Sequence, residues 1–431
     1  MSAVTATALP RNLPRAQARA RSHHVIGTAD IAGSLIFVTP MLLGASLAID
    51  VPALQVGMYG VCLVAVLPHI GPFADSLRRQ PANLLLVLLF TALAMSTFAA
   101  FARVGSSEAM LQAKALAATA VWASIYLVVF SSVKTAGDVR RLIQWISVAS
   151  LLITASVYLA ALAHAVGLSF GEVLEFRSGD IRVFGPLGDQ VGFLLVLPVL
   201  MSLVGSRPIM FGIHLGALLL TATRGAVLCL VVGVLAYVLM VASGSIRPTR
   251  KRMLWSIAAV ACGGVVWLSP VSAVLTGRLS DPSLRPMAMQ MGISAVQENP
   301  LFGIGFNGFA NSRPAVAEDW LIPEQAENGL SRATNQYIQT ATDGGVVALA
   351  CLLLFVLCTG RNALRVIRWR SATPQLVALQ LWLISVLLGN QGSLWFLSNT
   401  GSGFFIFAVS GLAARASALV AEQTAPRRRL N

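Results

Sequence analysis

The sequence predicts an all-α integral membrane protein of about twelve transmembrane helices. One large external loop is expected between spans nine and ten. Four observations carry this prediction. Charged residues make up 11% of the chain and hydrophobic ones 56%, whereas a soluble domain carries about a quarter charged residues. Mean hydropathy is +0.76. Apolar runs recur at the length of about 20 residues that a helix needs to cross a bilayer. The basic residues between them fall on alternate connections, as expected when lysine and arginine stay on the cytoplasmic side.

The elements follow in order. Residues 1–29 read as a cytosolic basic tail without the apolar stretch of a signal peptide. Spans one to nine fill 30–274, at 30–49, 56–74, 81–103, 114–133, 142–167, 190–206, 208–222, 225–243 and 253–274. The seventh is short, and the sixth and seventh are compatible with a hairpin. A smaller external loop occupies 168–189 and the large one 275–335. Spans ten to twelve fill 336–420, at 336–359, 376–391 and 402–420, before a basic tail at 421–431. Both termini of this multi-pass protein are expected in the cytoplasm. The run "RNALRVIRWR", with arginines at i, i+4 and i+7, is expected along the cytoplasmic surface.

The charges test this layout. The segments 11–21, 78–79, 134–141, 207, 247–252, 361–370 and 415–429 hold 22 of the 31 basic residues. All are cytoplasmic if the N-terminus is inside. The net charge of +14 therefore reports topology rather than nucleic-acid binding. Five cysteines lie in apolar runs and form no C-x-x-C pair, which suggests neither a disulfide framework nor a thiolate metal site.

Nine basic residues break the bias: Arg103, Lys114, Arg177, Arg182, Arg224, Arg278, Arg285, Arg313 and Arg332. Seven of them, all but Arg103 and Lys114, sit in or beside the two larger external segments or at the mouth of span eight. One reading pairs the loop arginines with Glu318, Asp319, Glu324 and Glu327. That reading fits Arg224 less well, because no acidic residue lies near it in "TATRGAVLCL". A charge near membrane depth is costly and faces a cavity or a partner. A guanidinium grips phosphate with a flat, bidentate fork. Several arginines near the outer leaflet thus suit a lipid-linked phosphate or diphosphate, and they also suit carboxylated sugars.

Four stretches resemble the O-antigen ligase and polysaccharide polymerase superfamily. "TRGAVLCLVVGVLAYVLM" is similar to the family's arginine–glycine helix start. "GRLSDPSLRPMAMQMGISAVQENPLFGIGFNGF" resembles the stretch in which arginines precede a helix and a glycine-rich return. In it Arg278, Arg285, Pro300, Gly303, Gly305 and Phe309 fall on the pattern. "TNQYIQTATDGGVVALACLLLF" resembles the family's entry into the next span through Asn335, Tyr337, Gln339, Asp343 and Gly345. "RVFGPLGDQVGFLLVLPVLM" resembles its shorter arginine–glycine segment, with Arg182. The resemblance covers about 180–360 and departs in one place: Thr334 stands where the family's ligases carry a histidine.

The resemblance implies a multi-pass glycosyltransferase of the bacterial inner membrane that uses a polyprenyl-diphosphate-linked glycan at the periplasmic face, so that the external loops at 168–189 and 275–335 are periplasmic. Thr334 favours polymerisation of exopolysaccharide or O-antigen repeat units. The alternatives are an O-antigen ligase acting on lipid A–core, a protein O-oligosaccharyltransferase and, from another class, a secondary transporter. The transporter reading fits less well, because the spans are almost uncharged at mid-depth and the two halves show no repeat. The leaving group is a diphosphate, and prepositioned cations stabilise the charge growing on it. A metal would want clustered carboxylates, and the chain has no D-x-D. A metal- and cofactor-independent mechanism is expected.

The expected contacts to the diphosphate are Arg224 and Arg285, supported by Arg182 and Arg278, with Arg332, Asn335, Tyr337 and Gln339 lining the site. Asp343 is the candidate base. On a helix from 335, Asn335, Gln339 and Asp343 share a face, with Asp343 roughly 12 Å along the axis. The other reading makes Asp343 a structural residue at the Gly344-Gly345 break or a partner of Arg224. Membrane lipid, and a chain-length regulator of the product, are further expected partners.

Overall fold

The computed structural model describes residues 52–103, 106–166, 174–177, 180–183, 191–221, 223–246, 285–310, 333, 335–369, 372–389, 397 and 400–428. The expected spans at 30–49 and 253–274, Arg278, Arg332 and Thr334 lie outside the described residues.

The chain is largely helical. Helix α1 (Pro52–Val66) runs through a 3-10 turn at Leu67–His69 into α2 (Ile70–Ser76). One expected span is thus broken, where Pro68 withholds an N–H. Then come α3 (Pro81–Ala100), α4 (Ser106–Ala123), α5 (Ile125–Ser132) and α6 (Ala136–Ala165). Helix α6 starts earlier than its apolar run because Thr135 and Asp138 cap it reciprocally. The Asp138 carboxylate accepts the Thr135 N–H at 2.8 Å, and Thr135 Oγ1 accepts the Asp138 N–H at 3.2 Å.

Strands β1 (Leu174–Arg177) and β2 (Asp180–Val183) form an antiparallel hairpin, the one departure from an all-α fold among the described residues. Helices α7 (Val191–Val204) and α8 (Pro208–Leu220) form the expected short hairpin. Its turn is tight: Arg207 N–H reaches Ser202 O at 2.9 Å, and Ser206 takes a positive φ of 57°. Helix α9 (Arg224–Ala242) follows, then α10 (Arg285–Glu298) and a 3-10 turn (Gly308–Ala310). The last helices are α11 (Gln336–Ile367), α12 (Pro374–Gly389) and α13 (Thr400–Arg428).

Among the described residues, six helical stretches are long and apolar enough to cross a membrane: Pro81–Ala100, Ser106–Ser132, Ala136–Ala163, Gly225–Ala242, Gln336–Ile367 and Gly403–Glu422. Helix α13 is the most enclosed of these. Gly411 lets it approach the α5 backbone, since a Cβ there would stand 2.7 Å from Tyr126 O. The arginines expected along a membrane surface after span ten instead continue α11. That helix has 32 residues, about 48 Å, and outruns a hydrocarbon core about 30 Å thick. Arg365 donates to Ser417 Oγ at 3.1 Å. Arg415 donates to Val133 O at 2.8 Å and pairs with Glu422 at 3.0 Å. These contacts gather segments 133, 365 and 415–422 at one end of the bundle.

Candidate functional site

The opposite end gathers the starts of α7, α9 and α11, the finish of α12 and the whole of α10. Helix α9 begins at Arg224 behind Thr223, which has extended backbone (φ −86°, ψ 98°). Its first turn abuts the start of α7. A Cβ on Gly225 would stand 2.7 Å from the Phe193 ring, and one on Gly192 the same distance from Thr223. Both glycines therefore serve close approach. Tyr337 donates its hydroxyl to Leu387 O at 2.7 Å, tying the start of α11 to the end of α12.

Arg285 is the first residue of α10. That helix packs on α11: Thr342 Oγ1 donates to Gly292 O at 3.1 Å, and a Cβ on Gly292 would meet the Ile338 side chain at 2.7 Å. Met291, Ala295, Ile304, Phe309 and Ala333 form a small apolar core under it, with Ile338 against them. Helices α9, α10 and α11 have no acidic residue in their first turns. Each helix start carries partial positive charge. Arginine is the first residue of two of them. This is an arrangement suited to an anion.

Helix α11 starts where the sequence places it. Asn335 is its N-cap, and its side chain accepts the N–H groups of Tyr337 at 2.9 Å and Ile338 at 3.2 Å. Gln339 and Asp343 do share a face: Gln339 Nε2 donates to the Asp343 carboxylate at 2.7 Å. Gln339 Oε1 accepts the Ala333 N–H at 2.8 Å. Both side chains are buried.

Just beyond Asp343 the helix breaks at Gly345 (φ 69°, ψ −170°), a conformation that favours glycine. The break frees backbone groups that the glycine-rich return takes up. Ile304 N–H donates to Thr342 O at 2.8 Å, Gly305 N–H to Asp343 O at 3.1 Å, and Val346 N–H to Pro300 O at 2.8 Å. Ser96 Oγ also donates to Asp343 O. The "GIGF" glycines thus turn the chain onto the membrane helix, which is more specific than the simple turn their sequence suggests. Gly303 and Gly305 have φ of 63° and 97°, and a Cβ on Gly303 would run into the α11 backbone at Thr342–Asp343.

Arg182 lies in β2 opposite Glu175, so the structure places it on the hairpin and not at a helix start. Arg103 was an unexplained exception to the charge bias. It donates to Asn299 Oδ1 and, at 3.0 Å, to Gly303 O. Sequence reasoning also passed over Ser96, Thr97 and Gln336. Their signal was polarity near the ends of apolar runs. Thr97 Oγ1 receives Phe306 N–H at 3.3 Å, and Gln336 Oε1 receives Leu397 N–H at 3.2 Å. Among the described residues no cluster of three metal-ligating side chains occurs.

Fold and site define a multi-pass helical membrane protein whose arginine-led helix starts gather at one end. Residues 209–353 match the family model described as O-antigen ligase. The match runs from α8 through the break in α11 and includes Arg224, Arg285 and Asp343; Arg182 falls outside it. No curated protein matches the chain. The family match supports an enzymatic, glycan-handling role at a membrane.

Proposed function

We propose that this protein is a metal-independent glycosyltransferase of the bacterial inner membrane. It moves a glycan from a polyprenyl diphosphate carrier to lipid A–core at the periplasmic face. The observation that carries this reading is the pair of arginine-led helix starts, Arg224 and Arg285, within the matched region. The family description favours ligation over the polymerisation that Thr334 suggests. Polymerisation of repeat units is the second reading, and Thr334 is the observation in its favour.

In the proposed reaction the acceptor hydroxyl attacks the anomeric carbon and the bond to the diphosphate oxygen breaks. The proton passes to Asp343, and polyprenyl diphosphate leaves with its new charge held by Arg224 and Arg285. Preplaced guanidinium groups stabilise that charge without reorganising. Arg182, Arg278 and Arg332 support the glycan diphosphate. Asn335, Tyr337 and Gln339 serve the site by position, since each already holds the start of α11 or the Asp343 carboxylate.

The test is a reconstitution with polyprenyl-diphosphate-linked glycan in EDTA, with and without lipid A–core. Transfer that depends on lipid A–core supports ligation. A ladder of lengthening lipid-linked glycans without it supports the second reading. No product from matched substrates overturns both.

A further inference from the structure

The return from α10 to the bundle exposes two large apolar side chains in a row. Leu301 is 58% and Phe302 41% exposed. They stand in the turn that Val346 N–H, Gly345 and Arg103 hold in place. In an external loop bathed by water such a pair would be out of place.

Two independent rulers set the depth of this turn. The first is α11. Residues 336–345, "QYIQTATDGG", are polar, and the apolar stretch begins at Val346. From Val346 to Gly360, the last residue before the cytoplasmic arginines at 361–370, the rise is about 22 Å, somewhat less than a hydrocarbon core about 30 Å thick. Val346 therefore lies at or just inside the external boundary, and its N–H binds Pro300 O. The second is α3, whose 20 residues span about 30 Å and end at Ala100. Arg103, just past that end, holds Asn299 and Gly303. Both rulers put Pro300–Gly303 at the level where hydrocarbon meets headgroups.

The turn also continues a lipid-facing surface. Phe98 is 79% exposed and Phe101 is exposed one turn on; Val346 and Val347 are exposed on α11. Leu301 and Phe302 lie between these two helices. The exposed faces of membrane-spanning helices meet acyl chains, and the patch is an extension of them.

We infer that the Pro300–Gly303 turn is an interfacial anchor, with Leu301 and Phe302 inserted into the bilayer leaflet beside Phe98 and Phe101. Its occupant is bilayer lipid. The anchor fixes the depth of α10, whose first residue is Arg285. It stands apart from the catalytic proposal, because it rests on membrane placement alone.

The experiment places a photoreactive benzoylphenylalanine at 301 or 302 in the full chain, reconstituted in phosphatidylethanolamine–phosphatidylglycerol vesicles. Adducts are read by mass spectrometry after illumination. Phe98 is the lipid-facing control, and Gln290, exposed on α10, is the control expected in water. Lipid adducts at 301 and 302 at half or more of the yield at 98, with at least fivefold less at 290, are the expected result. Adducts at 98 but not at 301 or 302 would overturn the anchor. Adducts at 301 or 302 only to another protein segment would overturn it as well. Neither side chain makes a hydrogen bond, so two independent positions guard against a folding artefact.

Discussion

Gln339 donates one hydrogen bond to the Asp343 carboxylate and receives another from the Ala333 N–H, both on side chains closed off from solvent. One amide thus ties the end of the large loop to the residue before the helix break. Leaving such partners unpaired costs about 1–3 kcal/mol per buried group. Gln339→Leu should lower thermal stability in detergent by an amount of that order and reduce transfer. Asp343→Asn keeps the shape and removes the base. It should leave the melting temperature nearly unchanged and cut kcat by about a hundredfold or more, in the range for general base catalysis. Wild-type kcat in Asp343→Asn would assign Asp343 to structure alone.

The glycines at the break make a sharper claim about stability. A Cβ on Gly345 would collide with the Leu301 carbonyl, and its φ is 69°. Gly345→Ala and Gly303→Ala should each destabilise by about 2 kcal/mol or more. Gly360, further along the same helix, has nothing within 4 Å of its would-be Cβ. Gly360→Ala should be neutral or stabilise by up to about 1 kcal/mol. Thermal unfolding of the three variants side by side checks the contrast.

Arg103 joins two parts of the chain about 200 positions apart. Its removal should loosen the 299–303 turn without disturbing the spans. A local loss of about 1 kcal/mol corresponds to roughly fivefold more opening. Limited proteolysis of Arg103→Ala should therefore cleave near residues 299–303 about five times faster than wild type, with the transmembrane fragments intact. Equal cleavage would mean that the turn is held by its backbone bonds to α11 alone.

What the sequence made legible was local. Apolar runs located the helices, "TRGA" marked the start of α9, and the i, i+4 spacing put Gln339 beside Asp343. Residues 174–183 held a hairpin signal that went unread, a Ser178-Gly179 pair between short apolar-alternating stretches. The docking of Ile304 and Gly305 on Thr342 and Asp343 left no such signal. It is a backbone contact between distant segments, made possible by one glycine conformation, and periodicity carries no record of it. Arg103 was visible as a misplaced cation, but its partner carbonyl could not be read from spacing.

The central claim is that Arg224 holds a lipid diphosphate, with Arg285, through a bidentate fork. It is tested most directly by binding of polyprenyl diphosphate to purified protein in EDTA, comparing wild type with Arg224→Lys. Lysine keeps the charge and loses the planar fork. Binding at least about tenfold weaker, equivalent to about 1.4 kcal/mol, with normal insertion and melting, is the predicted result. Equal affinity in the two proteins would contradict the claim.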